Sequence, residues 1–160
     1  MKDSTILLKP ITAEQTLQLR RDVLRPGAPL SAAISPADDN TEVYHAGAFI
    51  GDELVGIATV YMHPSPDGEH LDAWRLRGMA VREELRGQGI GRLALQNCID
   101  HIALQGGTYL WCNARTPVVD FYHKLGFETV GKEFHKPRSG PHYVMVRSIP
   151  LFPIINTFDS

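Results

Sequence analysis

The sequence has little of what marks several classes of protein. Only two of its 160 residues are cysteine, too few for the disulfide framework of a small secreted domain. No run of 18 uninterrupted apolar residues occurs, so no transmembrane helix is predicted. Residues 1–4 lead directly into a strand-like segment without an apolar signal region. We therefore expect a cytoplasmic protein.

An excess of positive charge is also missing. Sixteen Lys and Arg residues stand against eighteen Asp and Glu residues, which gives a formal net charge of -2. Without an overall positive field, neither nucleic acid nor a membrane surface is expected as a partner. Hydrophobic residues make up 43% of the chain, as in an ordinary globular protein. At this length we expect residues 1–160 to form a single domain.

The first forty residues predict a strand, a helix and an irregular segment. Residues 5–11 have strand character, and Thr12 followed by Gln15 is the pattern of a capping box. The helix that begins there should run to about Arg25. Residues 26–40 combine Pro, Ala, Ser and Asp without periodicity, which predicts a mobile surface segment.

The middle of the chain predicts consecutive antiparallel strands. Residues 42–62 have strand character on both sides of Gly51 and Asp52, a pair suited to a two-residue hairpin turn. A second turn cluster precedes a further strand over residues 71–81. Three antiparallel neighbours are therefore expected.

Two strand-to-helix units come next. Apolar residues recur at helical spacing from Gly89 to the glycines at 106–107, which predicts a long helix. Residues 109–113 predict a strand, and Thr116 before Pro117 is the pattern of an N-cap with proline at the first helical position. Two final strands are predicted, at residues 127–134 and 143–149.

The glycine-rich segment at residues 86–92 carries the strongest functional signal. Its glycines lie between a strand and a long helix, where backbone N–H groups can converge on an anion. The first turn of the helix adds unpaired N–H groups and the positive end of its dipole. Arg86 and Arg92 add full positive charges. The segment is therefore predicted to bind a pyrophosphate.

Two other phosphate-binding loops compete with this interpretation. A Walker loop is excluded because no Gly-Lys-Ser/Thr follows the glycines. Residues 89–94 satisfy the dinucleotide pattern G-x-G-x-x-A, but Cys112 and Asn113 stand where that fold needs an acidic ribose ligand. A dinucleotide-dependent oxidoreductase stays as the weaker alternative.

The motif Arg86-x-x-Gly89-x-Gly91, after the strand at 76–81, resembles the acetyl-CoA signature of the GNAT N-acetyltransferase superfamily. The segments at residues 110–113 and 121–127 are similar to that family's later conserved block, and the order of elements agrees along nearly the whole chain. The resemblance implies an α/β (α+β) fold, with a mixed, mainly antiparallel sheet flanked by helices. It also implies transfer of acetyl from acetyl-CoA to a primary amine, small molecule or peptide, by direct attack in a ternary complex.

The resemblance implies roles for individual residues as well. Backbone groups of Met79, Ala80 and Val81 would pair with the pantetheine arm and the acyl carbonyl. The sheet would splay open between the strands ending at Val81 and Asn113, so that Asn113 meets the pantetheine. Tyr122 would contact the cofactor and give a proton to the departing thiolate, since a phenol stays protonated at neutral pH. The pyrophosphate would lie against Arg86, Gly87, Gln88, Gly89, Ile90, Gly91 and Arg92.

The general base is not assigned. The position four residues before Met79, where some relatives carry a glutamate, is Arg75 in this sequence. Glu42, His45 and Asp72 are candidates that would act directly or through water, although each also fits a solvated surface residue. A catalytically silent CoA-binding module is therefore an alternative to an enzyme.

Several charged or titratable residues keep two interpretations. His135 and His142 either line the acceptor cleft or are exposed loop residues, and their spacing does not predict a metal site. Arg20, Arg21 and Arg25 form either a carboxylate-binding patch or a charged outer helix face.

The cysteines and the apolar tail have structural interpretations. Cys98 and Cys112 are expected to be small buried hydrophobic residues. Residues 149–155 are strongly apolar, and covering them at a subunit edge would favour a homodimer.

Overall fold

The structure is a computed structural model that describes residues 5–40 and 42–150. Within these ranges the chain forms seven strands and three α-helices, together with shorter helical turns. The strands are β1 (Ile6–Pro10), β2 (Tyr44–Ile50), β3 (Glu53–Met62), β4 (Trp74–Val81), β5 (Tyr109–Arg115), β6 (Glu128–Lys136) and β7 (Gly140–Ser148). The α-helices are α1 (Ala13–Leu19), α2 (Ile90–Leu104) and α3 (Val119–Lys124).

The described strands form one sheet in the order β1-β2-β3-β4-β5-β7-β6. The pairs β1–β2, β2–β3, β5–β7 and β6–β7 are antiparallel. In contrast, β4 and β5 pair in parallel, with Trp74 opposite Leu110 and Arg75 opposite Trp111. The expectation of a mixed, mainly antiparallel sheet flanked by helices is confirmed.

Residue contacts group the chain into two compact units. The first comprises Met1–Met62 with Leu76–Cys98, and the second comprises His63–Arg75 with Ile99–Ser160. Strand β4 and helix α2 contribute residues to both units. That residues 1–160 form a single domain stays a prediction.

The first unit is built on the β2–β3 hairpin. Gly51 has a φ of 61° and forms the predicted tight turn, where a left-handed residue matches the twist of the strands. Strand β3 is buried along most of its length, as expected for a strand with apolar cover on both faces. Val55 packs with Ile90 of helix α2, and Ile57 packs with Leu19 of helix α1. This packing fixes both helices to the sheet.

The second unit has its core around β5. Leu110 is fully buried, and Phe127 and Met145 are 1% and 0% exposed. Strand β5 pairs with β7 along its whole length. A Cβ at Gly107 would lie 2.8 Å from Trp74 Nε1, so only glycine allows the chain leaving α2 to pass so close to this ring.

Several local predictions are confirmed. Gln15 N–H donates to Thr12 Oγ1 at 3.2 Å, and Thr12 N–H donates to Gln15 Oε1 at 2.8 Å, which closes the capping box. The helix continues beyond α1 as a π-helical turn at Arg20–Leu24. Cys98 and Cys112 are 0% and 2% exposed. Burial raises the pKa of both thiols, that of Cys112 to about 12, as expected for structural cysteines.

Two local predictions need correction. Residues 26–40 contain the 3₁₀ turns Leu30–Ala33 and Pro36–Asp39, so this segment has more regular structure than its lack of periodicity predicts, and its mobility stays a prediction. Thr116 is not an N-cap: it lies inside the 3₁₀ turn Thr116–Val118. Its hydroxyl donates instead to Glu133 Oε2 at 2.7 Å. This long-range partner replaces the local capping bond.

Two further points concern localisation and assembly. Across residues 5–40 and 42–150, every helix is too short or too polar to cross a membrane. Residues 151–155 of the apolar tail lie outside the described residues, so the homodimer stays a prediction.

Candidate functional site

The predicted phosphate loop has the backbone conformation that its glycines allow. Gly87 and Gly89 have φ values of 83° and 85°, in the left-handed region that residues with a Cβ rarely adopt. Nothing lies within 4 Å of where a Cβ at Gly87 would stand. Steric crowding therefore does not require glycine there, whereas the backbone conformation does.

The loop leads directly into helix α2 and leaves its first amides available. The first helical bond runs from Leu93 N–H to the Gly89 carbonyl, 3.1 Å away. The amides of residues 89–92 therefore precede the helical hydrogen-bond ladder and can donate to an anion. Ile90 is only 1% exposed, and a Cβ at Gly56 would lie 2.6 Å from Ile90 Cγ2. The Ile90 side chain thus anchors the start of helix α2 in the core. Only the backbone of Ile90 is available to a ligand.

The charges beside the loop favour an anion. Arg82 donates to the carboxylates of Glu53 and Glu84, so those negative charges are balanced locally. Arg86 and Arg92 are exposed, and neither takes part in an ion pair with any described residue. Both guanidinium groups are available to a phosphate, which they bind well.

The strand before the loop contains a backbone irregularity. Gly78 has a φ of 65° within β4, and a left-handed residue inside a strand redirects the chain beyond it. Met79, Ala80 and Val81 come directly after it. Ala80 is 4% exposed and packs with Ile57 and Leu19, whereas Met79 and Val81 are half-buried.

Tyr122 and Asn113 belong to the second unit. Tyr122 is 9% exposed and lies edge-on to the rings of Phe121 and Phe127. Burial, followed by the neighbouring Cys112, raises the pKa of the Tyr122 hydroxyl, so it holds its proton at neutral pH. Asn113 is half-buried on β5, opposite Val144 of β7.

The candidate bases have different environments. Glu42 and Asp72 are exposed, as their alternative interpretation predicted. His45 is 5% exposed, so it is not a surface residue. Arg75 lies with its guanidinium carbon 4.6 Å from the ring centroid of Trp111. A cation on an aromatic face cannot deprotonate an amine, so no base is found at that position.

For two other residues the surface interpretation is wrong, and whether His142 lines the acceptor cleft stays a prediction. His142 is 4% exposed rather than a solvated loop residue, and its Nδ1 lies 2.8 Å from the Gly140 carbonyl. Arg20 is 5% exposed, so it belongs neither to an outer helix face nor to a surface patch. Arg21 is half-buried beside Asp22 at 2.7 Å. His135 is exposed, as is Arg25.

Sequence reasoning missed a buried polar cluster in the first unit. Arg20 binds both oxygens of Asp38, at 2.8 and 3.0 Å. It also donates to Thr59 Oγ1, which lies 2.8 Å from His45 Nδ1. The partners are 18 and 39 residues from Arg20 in sequence. Patterns of neighbouring charged residues in the sequence could not have identified these distant partners.

Comparisons with known proteins agree on one family. A family model described as Acetyltransferase (GNAT) family matches residues 13–127. The uncharacterized N-acetyltransferase YitI of Bacillus subtilis is 32% identical over 142 residues, which cover 89% of this chain and 95% of YitI. The [ribosomal protein bS18]-alanine N-acetyltransferase of Salmonella typhimurium is 26% identical over 86 residues, 51% of this chain and 58% of that protein.

Solved structures show the same fold. ElaA of Escherichia coli superimposes with a TM-score of 0.72 at 23% identity, covering 89% of this chain and 99% of ElaA. An aminoglycoside 6'-N-acetyltransferase complexed with coenzyme A gives a TM-score of 0.68 at 18% identity, with coverage of 92% and 99%.

Proposed function

The chain belongs to the Acetyltransferase (GNAT) family and is therefore an acetyltransferase; on this premise we propose that it moves an acetyl group from acetyl-CoA to a primary amine by direct attack in a ternary complex. The loop at residues 86–92 carries the proposal. Its two left-handed glycines and the amides ahead of helix α2 lie between Arg86 and Arg92, which pair with no carboxylate in the described part of the chain. That combination fits the pyrophosphate of CoA.

Different residues are proposed to bind different parts of acetyl-CoA. When bound, acetyl-CoA supplies a thioester whose carbonyl carbon is open to attack by an amine. Arg86 and Arg92 would neutralise the phosphates, and the loop amides would hold their oxygens. Backbone groups of Met79, Ala80 and Val81 would orient the acyl end, and Asn113 would hydrogen-bond the pantetheine arm.

Tyr122 would hold the proton that the departing sulfur needs. Its raised pKa keeps the hydroxyl protonated over the range in which an amine is a nucleophile, so the group can donate a hydrogen bond at the thiolate. As the C–N bond forms and the C–S bond breaks, the amine loses a proton to water or to a base that is not yet assigned.

The acceptor is proposed only as a class. Two of these related proteins are named for an alanine of a ribosomal protein and for an aminoglycoside, so amines of very different size occur in this family. We extend to this chain only the shared chemistry, a primary amine. A cytoplasmic location and a homodimer are part of the same proposal.

Thermal melting with acetyl-CoA tests the cofactor class. A ligand at 100 times its Kd adds about 2.7 kcal/mol of stability, a rise on the order of 5 to 10 °C in Tm for a chain of this size. We expect this rise with acetyl-CoA and none with NADH. No rise with acetyl-CoA, in protein shown to be folded, would refute the proposed pyrophosphate site.

Thiol release with a panel of amines then separates an enzyme from a silent binder. An acetyltransferase should release free CoA thiol in an amine-dependent way, with acetylated product detected by mass spectrometry. A rise in Tm without release by any amine would favour the CoA-binding module.

A further inference from the structure

Arg20 occupies a buried site at the junction of three parts of the first unit. It lies on the π-helical turn Arg20–Leu24, and its side chain is 6% exposed. Its Nη1 donates to the Ala33 carbonyl at 3.1 Å and to Asp38 at 2.8 Å. Its Nη2 donates to Asp38 at 3.0 Å and to Thr59 at 3.2 Å. The guanidinium therefore connects helix α1, the 3₁₀ turns and strand β3.

Within residues 5–40 and 42–150, the charge of Arg20 is balanced by one carboxylate, that of Asp38. The Asp38 side chain is 9% exposed. Burial alone would raise the pKa of Asp38, but hydrogen bonds from Arg20 and from the Ser35 backbone, with the Arg20 charge, outweigh it, and the pKa lies below its ordinary value. The Arg20–Asp38 pair is therefore ionised. Its planar, bidentate geometry is one that arginine forms and lysine cannot reproduce.

The same guanidinium lies against the irregular point of β4. A Cβ at Gly78 would stand 3.3 Å from Arg20 Nε and 3.9 Å from Arg20 Nη2. Arg20 thus fills the space that a side chain at position 78 would enter. Its Nη atoms are held by Ala33, Asp38 and Thr59, so the guanidinium beside Gly78 has a fixed position.

This contact matters because Gly78 directly precedes backbone groups with a proposed role in binding. Met79 and Ala80 are the next two residues, and their backbone is proposed to orient the acyl end of acetyl-CoA. A displacement of about 1 Å in such groups is enough to lower a reaction rate by about 10²-fold. Ala33 and Asp38 belong to the 3₁₀ turns, so Arg20 also ties that segment to the strand.

We propose that Arg20 is a positioning residue: its guanidinium, held by Asp38, fixes Gly78 in its left-handed conformation and thereby the backbone of Met79 and Ala80 that orients the acyl end of acetyl-CoA. The inference rests on the proposed function for the identity of the ligand, but not for the effect of Arg20 on β4. A role in stability alone would lower Tm without altering the local behaviour of these two residues.

The test compares Arg20→Lys with Arg21→Lys, a neighbouring change outside the cluster. Amide exchange is followed residue by residue by NMR, with and without acetyl-CoA, and the Kd of CoA is measured by calorimetry. In Arg20→Lys we expect exchange at Met79 and Ala80 to rise by about tenfold or more. Their protection by acetyl-CoA should be lost, while the Kd of CoA stays within about threefold because the phosphate loop is untouched. Arg21→Lys should match the unmodified protein.

Unchanged exchange and protection at Met79 and Ala80 in Arg20→Lys would overturn the proposal. If that variant does not fold, Thr59→Val removes one of the bonds to Arg20, together with the contact to His45, and the same two amides decide the question. If acetyl-CoA fails to bind the unmodified protein, the proposed function fails, but exchange without ligand still tests whether Arg20 holds β4.

Discussion

At the scale of single residues, Tyr122 is the proposed hydrogen-bond donor to the departing thiolate. It is buried among aromatic rings, and because that burial raises its pKa, its hydroxyl stays protonated at neutral pH. Tyr122→Phe removes only the hydroxyl. We expect turnover to fall by about 10²-fold, because general acid catalysis contributes on that scale. The Kd of acetyl-CoA should stay nearly unchanged. Steady-state kinetics measures the turnover, and calorimetry measures the Kd.

Tyr109→Phe is the matched control for this prediction. Tyr109 also lies on the second unit, stacked at 3.6 Å on the ring of His70, and no catalytic role is assigned to it. Its variant should keep full turnover. Equal losses in the two variants, or none in Tyr122→Phe, would contradict the assignment.

Single residues were also where sequence reasoning failed most clearly. For Arg20, His45 and His142 the surface interpretation is wrong, although charged and titratable side chains usually lie there. Arg20 and His45 are buried because Asp38 and Thr59 complete a hydrogen-bonded cluster with them. Those partners are distant in sequence, so no local pattern indicates the burial.

At the scale of elements, the loop and helix α2 allow a comparison between two glycines. Gly87 and Gly106 both have a φ of 83°, and both have open space where a Cβ would stand. They lie before and after the same helix. Each substitution to alanine should lower the free energy of unfolding by about 1 to 2 kcal/mol through backbone strain. Only Gly87→Ala should also weaken acetyl-CoA binding, because only that residue shapes the phosphate loop.

Chemical denaturation and calorimetry on the two variants measure this difference. Similar losses of stability with a weaker Kd in Gly87→Ala alone would support a loop shaped for phosphate. An equal Kd in both variants would mean that the loop backbone does not contact the cofactor.

Elements with local signals were predictable, and those defined by distant contacts were not. Thr12 and Gln15 satisfy each other within one helical turn, so the start of α1 could be read from sequence. The glycines around α2 gave its limits in the same way. Thr116 has a similar local pattern, yet its hydroxyl bonds Glu133 on strand β6. The hydrogen bond to the distant Glu133 forms in place of a local capping bond at Thr116.

At the scale of the whole molecule, the buried cluster makes stability depend on pH. Burial lowers the pKa of His45 below its ordinary 6.5; Asp38 opposes this and Arg20 adds to it. The unfolded chain therefore binds a proton near pH 6.5 that the folded chain does not bind. Stability is full above that pH and falls as the pH drops through 6.5 toward 5, by at most about 1.4 kcal/mol per pH unit from this group.

Urea unfolding of the unmodified protein and of His45→Gln across pH 5 to 7.5 measures this dependence. We expect a shallower slope in His45→Gln, whatever its stability at neutral pH. His135→Gln is the control, since His135 is exposed, and it should keep the original slope. Identical slopes in all three proteins would contradict a neutral, buried His45.

The interleaving of the two compact units along the chain has a consequence for how such a protein diversifies. Each unit is made of two stretches of sequence, 1–62 with 76–98 and 63–75 with 99–160. Any single crossover between two genes would therefore split at least one unit between parents. A single recombination event therefore cannot transfer one whole unit without part of the other. New acceptor preferences in such a chain are expected to arise through point substitutions and changes in loop length rather than through the exchange of modules.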